Sequence, residues 1–249
     1  MSLVFASITP HPPLIIPAIG KENLNQITKT VNAFKTLEEN LYSVKPDTII
    51  IISPHGPIQP NAFTMNLSPY FKIQFEEFGD FSTKVDLKGD VGLAYQIKEK
   101  IETKTPFQAI SEEKLDHGCG VPLALLTPHL LNIQVIPIYH SGLDYKAHCK
   151  FGKNLKNELL NSKKRIAVIA SGDLSHRITK DAPAGYSPKG AKFDKKIISY
   201  LTKKRPKDIL DMNLDLIHDA AECGLKSIAI ILGILEGIEY TAETICYEA

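Results

Sequence analysis

Cysteine is scarce in this chain. Among 249 residues there are four, Cys119, Cys149, Cys223 and Cys246, and none form a Cys-x-x-Cys pair. Four in a chain of this length are too sparse for a disulfide framework, and the expected setting is a reducing, cytoplasmic one. An excess of charge is missing as well: Lys plus Arg total 29 against 28 for Asp plus Glu. Nucleic acid and membrane surfaces require a clustered basic face, so neither is expected as a partner. The only basic cluster, Lys203, Lys204, Arg205 and Lys207, stands near the end of a helical pattern, where a solvated helix end accounts for it. No apolar run is long enough for a membrane span. The N-terminal stretch is apolar, but Pro10, Pro12, Pro13 and Pro17 break it and no positive region precedes it, so it does not read as a signal peptide. No Ser/Gly linker, low-complexity tract or repeat divides the sequence. With 43% hydrophobic and 23% charged residues, the expectation is a single domain over 1–249 around one sizeable core.

Four short apolar or β-branched runs are present: Leu3 to Ile8, Thr48 to Ile52, Gln134 to Tyr139 and Arg165 to Ala170. They are too short and too continuously apolar for amphipathic helices, and they suit buried strands covered on both faces. Helical spacing lies between them. Lys21 to Val44 places Leu24, Ile27, Val31, Phe34, Leu37 and Leu41 three and four apart. Val91 to Ile101, Leu123 to Leu131, Asp144 to Leu160, Pro188 to Lys203 and Cys223 to Leu235 also read as helices. This alternation predicts an α/β fold with a mostly parallel central sheet flanked by helices. Phe63 to Phe78 alternates aromatic and polar residues and reads as an antiparallel excursion at one sheet edge.

The segments at the ends of the buried strands carry the chemistry. The first strand runs into Thr9-Pro10-His11-Pro12-Pro13, the second into Ser53-Pro54-His55-Gly56-Pro57, and the fourth into Ser171-Gly172-Asp173-Leu174-Ser175-His176. The carboxyl ends of strands in an open α/β sheet share one rim, where ligands bind. Three of the eight histidines are thereby expected on one edge. Imidazole is the commonest protein ligand for borderline divalent metals, and the adjacent prolines stiffen the loops that present it. His11 and His55 are therefore candidate metal ligands, although a Pro-His loop exit is by itself compatible with a plain polar residue. The third donor is expected late in the chain, at Glu222 in Ala220-Ala221-Glu222-Cys223-Gly224. A Glu there could instead favour the dipole of the next helix, and Cys223 could supply a thiolate. Oxygen suits Fe(II) or Mn(II), whereas sulfur suits zinc or copper. His176, on the rim but outside the metal shell, is placed to move protons, with Ser171, Gly172 and Ser175 allowing close approach of a substrate. In Asp116-His117-Gly118-Cys119-Gly120-Val121-Pro122, backbone N–H groups and His117 could face an oxyanion, while Asp116 could contact substrate or cap a helix. His129, His140, His148 and His218 have no comparable setting.

Taken in order, Thr9-Pro10-His11, Ser53-Pro54-His55, Asp116-His117-Gly118-Cys119-Gly120-Val121-Pro122-Leu123, Ser171-Gly172-Asp173-Leu174-Ser175-His176 and Ala221-Glu222 resemble the LigB-type superfamily of class III extradiol ring-cleavage dioxygenases, which includes the MEMO family. The resemblance implies Fe(II), or else zinc or manganese, on His11, His55 and Glu222. It implies His176 as acid and base, His117 holding substrate or oxygen, and Asp116 and Ser175 near the substrate. The implied reaction opens a catechol- or aminophenol-like ring beside its diol, with both atoms of O2 incorporated, in a homo-oligomer. No Arg stands out as placed to bind a substrate carboxylate. The MEMO branch uses a thiolate in the late position, and Glu222-Cys223 is readable either way. A metal-binding protein without turnover and a zinc hydrolase with His176 as base are the competing functions.

Overall fold

A computed structural model of the chain describes residues 2–182 and 184–248. From the N-terminus, β1 (Leu3–Thr9) leads through a short turn and α1 (Pro17–Gly20) into a 3-10 stretch at Lys21–Ile27 and then α2 (Thr28–Ser43). Next come β2 (Thr48–Ser53), β3 (Phe63–Asn66), β4 (Tyr70–Phe75), β5 (Asp80–Gly89), α3 (Val91–Ile101) and β6 (Phe107–Ile110). The second half contains α4 (His117–Leu126), β7 (Gln134–Tyr139), α5 (Tyr145–Asn161), β8 (Ile166–Ser171), α6 (Pro188–Thr202), α7 (Pro206–Leu210), α8 (Leu214–Ala220) and α9 (Leu225–Leu235).

The strands form one mixed, mostly parallel sheet in the order β1-β8-β2-β7-β3-β6, flanked by helices, in a single α/β domain. β1, β8, β2 and β7 are mutually parallel, with β8 inserted between β1 and β2. The antiparallel part falls where the aromatic alternation placed it: β3 runs against β7, and β4 against β5. Strand alternation explains the two cores. Ile50 and Ile52 face one side with residues of α3, α5 and α9, whereas Ile49 and Ile51 face the other with residues of α2, α4 and β4. All four isoleucines are completely buried, each contributing about 1.5–3 kcal/mol. A third cluster joins α6, α7 and α8 to the outer side of α9.

Several expectations need correction. β1 is an edge strand and half-exposed along much of its length, because only β8 pairs with it. The helix expected at Leu123 to Leu131 begins at His117 and ends at Leu126, so its two glycines lie inside it. The last helix starts at Leu225, not Cys223. β5, β6, α7 and α8 carry no strong apolar period and were not anticipated.

The register aligns the strand ends that matter. Thr9 pairs with Ser171, Ile52 with Ala170 and Ser53 with Tyr139. The exits of β1, β2, β7 and β8 therefore share one rim. No helix among the described residues is long and apolar enough to cross a membrane.

Candidate metal centre

At that rim His11 Nε2 lies 2.9 Å from His55 Nε2. Cys223 Sγ completes a group, 3.6 Å from His11 Nε2 and 4.0 Å from His176 Nε2. One donor atom each from His11, His55 and Cys223 falls within 4.8 Å of the others; Asp173, His176 and Cys223 form a second such group on the same sulfur. His11 is 2% exposed, whereas His55 is solvent-exposed, so the centre is open on one side.

The proline inside α4 helps to fix the state of His11. Pro122 has no N–H for the carbonyl of Gly118 four residues earlier. That carbonyl instead accepts the Ser171 hydroxyl at 2.5 Å. Having given away its only hydrogen, Ser171 Oγ can only accept from His11 Nδ1, 2.9 Å away. The proton therefore sits on Nδ1, and Nε2 turns a bare lone pair towards His55 and Cys223. His55 is held by its backbone: its N–H donates to Ser53 Oγ at 3.2 Å, and Ser53 Oγ donates to Asp116 Oδ1 at 2.5 Å. Asp116 also caps α4 by accepting from Cys119 N. Gly118 permits this crowding, since a Cβ there would stand 2.4 Å from Ser53 Oγ.

The remaining residues come from two loops in backbone contact. A Cβ on Gly172 would lie 2.1 Å from Gly224 Cα. Across this contact Asp173 O accepts from Gly224 N at 2.9 Å, and Asp173 N donates to Cys223 Sγ at 3.2 Å. Asp173 Oδ1 also accepts the His11 backbone N–H, and Oδ2 lies 3.5 Å from His176 Nε2.

Electrostatics follow from burial and these pairings. Burial lowers His11 to about 4 and lowers His55 as well, with neighbouring His117 reinforcing the latter, so both rings are neutral and fit for ligation. Burial alone would raise Asp173, but the hydrogen bond from His176 and the nearby His11 hold it below the ordinary carboxylate value. In return Asp173 raises His176 against the opposing effect of burial. Burial pushes the Cys223 thiol up to about 12, so metal uptake there would release a proton.

His11, His55 and His176 are thus brought together, as their strand exits suggested. His117 stacks on His55 with ring centroids 4.3 Å apart and meets Phe78 edge-on. Glu222 is not brought into the group. Its Oε2 accepts from Leu225 N at 2.5 Å at the start of α9, and burial pushes it up to about 7. The alternative donor, Cys223, stands by the histidines. Ser175 is occupied internally: its hydroxyl donates to Ala220 O and its N–H to Asp194 Oδ1. Sequence reasoning missed Asp173; its i, i+3 spacing from His176 was the available signal. His140 and His148 are buried in a polar network behind the rim, His129 pairs with Glu38, and His218 is exposed.

A family model described as "Catalytic LigB subunit of aromatic ring-opening dioxygenase" matches residues 5–249, and the chain belongs to this family. Protein CA_C1420 of Clostridium acetobutylicum is 30% identical over 258 residues, covering 100% of this chain and 55% of its own length. The 4,5-DOPA dioxygenase extradiol of Beta vulgaris is 29% identical over 176 residues, 66% of this chain and 62% of that protein. The 2,3-dihydroxyphenylpropionate/2,3-dihydroxicinnamic acid 1,2-dioxygenase of Paraburkholderia xenovorans is 27% identical over 142 residues, 53% of this chain and 43% of that protein. The chain thus spans from 43% to 62% of the length of these relatives. Among solved structures, the uncharacterized protein JW3007 from Escherichia coli K12 shares the fold, with a TM-score of 0.63, 16% identity and 83% of both chains covered.

Proposed function

We propose that this chain is a metal-dependent oxidoreductase that holds one ion on His11, His55 and Cys223 and opens a catechol- or aminophenol-like aromatic with O2. The observation that carries the metal reading is the convergence of His11 Nε2, His55 Nε2 and Cys223 Sγ beside the Asp173–His176 pair. The family and the names of two relatives support the reaction class. Two neutral imidazoles and a thiol that gains a backbone donor from Asp173 suit a divalent ion; the reaction calls for Fe(II), whereas the sulfur donor taken alone favours zinc or copper.

When bound, the metal supplies Lewis acidity towards the diol oxygens and the electrons that activate O2. The protein supplies the proton handling. His176, paired with Asp173 and partly open to solvent, serves as the acid and base that exchanges a proton with the substrate hydroxyl. His117, stacked on His55 and braced by Phe78, presents a polar edge to the substrate oxygens.

Anaerobic loading with Fe(II), then exposure to O2 and a panel of catechols and aminophenols, is expected to give a yellow ring-fission product. No product and no O2 uptake across the panel would defeat the dioxygenase reading. Metal analysis tests the ligand set separately. Cys223→Ser is expected to lose the ion and Glu222→Gln to keep it; the reverse result restores Glu222 as the third ligand. A second reading, a MEMO-like metal-binding protein without oxygenase turnover, is favoured by Cys223 standing where a carboxylate was expected. Tight binding of zinc or copper with no O2 uptake would establish it.

A further inference from the structure

The loop that carries His176 is gripped from behind by a buried carboxylate. Asp194, on α6, is 1% exposed. Its Oδ1 accepts the Ser175 N–H at 2.9 Å, and its Oδ2 accepts the Tyr247 hydroxyl at 2.6 Å. Burying a carboxylate is costly unless its oxygens are bonded, and here each oxygen has a donor. Gly190 makes the approach possible. A Cβ there would stand 2.5 Å from Ser175 Oγ, so α6 packs directly on the loop, with Asp194 one turn further along the same face. The end of α8 holds the loop from another side: Ala220 O accepts the His176 N–H at 3.0 Å and the Ser175 hydroxyl at 2.9 Å.

Tyr247 belongs to the segment after α9, residues 236–248, which forms no helix or strand. This segment runs back along α6 and ends on α2. Lys204 Nζ donates to Tyr240 O, Thr202 and Thr244 hydroxyls lie 3.4 Å apart, and Glu248 Oε2 accepts from Thr30 N at 3.0 Å and Thr30 Oγ1 at 2.9 Å. Ile245 and Tyr247 remain partly exposed, so polar contacts rather than apolar burial fix its course. Burial raises the Tyr247 hydroxyl, which therefore keeps its proton and donates it to Asp194.

We propose that Asp194 is a positioning residue for His176, and that residues 236–248 complete the site by supplying Tyr247 to hold that carboxylate. The bonded Ser175 N–H lies one residue before His176, so displacement of Asp194 displaces the imidazole relative to Asp173 and the candidate ligands. Those ligands have supports of their own: Ser171 for His11, Ser53 for His55 and Asp173 for Cys223. The effect on turnover rests on His176 being the acid and base; the effect on the loop does not.

The test is amide hydrogen exchange of the isotopically labelled full chain without metal, read by NMR, in Asp194→Ala, Asp194→Asn and Tyr247→Phe. Asp194→Ala is expected to speed exchange at Ser175 and His176 about tenfold or more, and Tyr247→Phe several-fold, with the amides of α5 and α9 unchanged. Asp194→Asn is expected to stay near wild type, because its amide oxygen still accepts from Ser175 and its NH2 can donate to Tyr247. Tyr247→Phe alters a partly exposed side chain and keeps the test open should Asp194→Ala fail to fold. Loaded with Fe(II), Asp194→Ala and Tyr247→Phe are expected to lose kcat by similar factors at unchanged metal affinity, with Asp194→Asn restoring most of it. Wild-type exchange at Ser175 and His176 in Asp194→Ala and Tyr247→Phe would overturn the proposal. So would acceleration spread evenly over the chain, or an Asp194→Asn chain as loose as Asp194→Ala. A wild-type chain without O2 uptake would defeat the dioxygenase reading alone, since the exchange measurement needs no turnover.

Discussion

Pro122 illustrates how one residue acts on a proposed metal ligand it never touches. By withholding an N–H it leaves the Gly118 carbonyl to Ser171, and Ser171 sets the proton on His11. Pro122→Ala lets the helix reclaim that carbonyl. Metal affinity is then expected to fall, towards the roughly 10–100-fold loss typical of partners that orient ligands. The melting temperature should hold or rise, since proline in a helix interior costs about 3 kcal/mol. A chelator competition titration beside a thermal melt checks both, and unchanged affinity would break the proposed link. At this scale His11, His55 and His176 were legible because each stands a few residues beyond a strand rich in apolar residues. The choice between Glu222 and Cys223 was not legible. It depends on Ala221, whose left-handed backbone (φ 50°, ψ 46°) ends α8 and sets the directions of the next side chains. Nothing in Ala-Ala-Glu-Cys-Gly announces an alanine in a conformation that glycine usually adopts.

Between elements, α5 and α9 approach each other closely. A Cβ on Gly152 would lie 2.0 Å from Ile230 O, and one on Gly233 would lie 2.1 Å from Cys149 O. Both obstacles are backbone, which cannot rotate away. Gly152→Ala is expected to push α9 outwards and to cost about 1–3 kcal/mol or more. In a chain of this size that lowers the melting temperature by roughly 2–4 °C per kcal/mol. Calorimetry of Gly152→Ala and Gly233→Ala reads the effect directly; wild-type stability in both would show that the helices have room to separate. The strands legible in the sequence were the ones buried by their neighbours, such as β2 and β8, buried at every position. β5 was not, because its Ser, Thr, Lys and Asp residues leave most of it partly or fully exposed, and pairing with β4 rather than its own apolar content makes it a strand. The Asp-His-Gly segment was misplaced for a related reason. Glycine and proline disfavour a helix in isolation, whereas here the Asp116 cap and burial of Cys119, Val121 and Leu123 overrule them.

For the molecule as a whole, acid is the informative perturbation. His140 and His148 sit in the interior behind the rim. His140 Nε2 lies 2.7 Å from Ser227 Oγ, and His148 accepts from Ser141 N while its Nδ1 donates to Asp144 O. Burial lowers both, His148 to about 4, with Lys226 opposing their charging further. Each is neutral when folded, and the unfolded chain takes up protons more readily. Stability from this source is therefore complete above about pH 6.5 and is lost as pH falls through the folded values. For His148 the loss is on the order of 3 kcal/mol by pH 4. Denaturant titrations of the metal-free chain between pH 7 and 4 are expected to show this decline, and His148→Gln to flatten it. A variant that declines as steeply as wild type would place the acid sensitivity elsewhere.

The position of β8 between β1 and β2 also has a consequence for how the protein is made. As the chain leaves the ribosome, His11 and His55 emerge early, yet the strands that carry them are not neighbours in the finished sheet. They cannot settle at their final spacing until Ile166–Ser171 has been synthesised and slotted between them. Cys223 arrives later still. A growing chain therefore holds no place for the proposed ion until Ile166–Ser171 has been made, and metal loading, on that reading, would mark a polypeptide whose last parallel strand is already home.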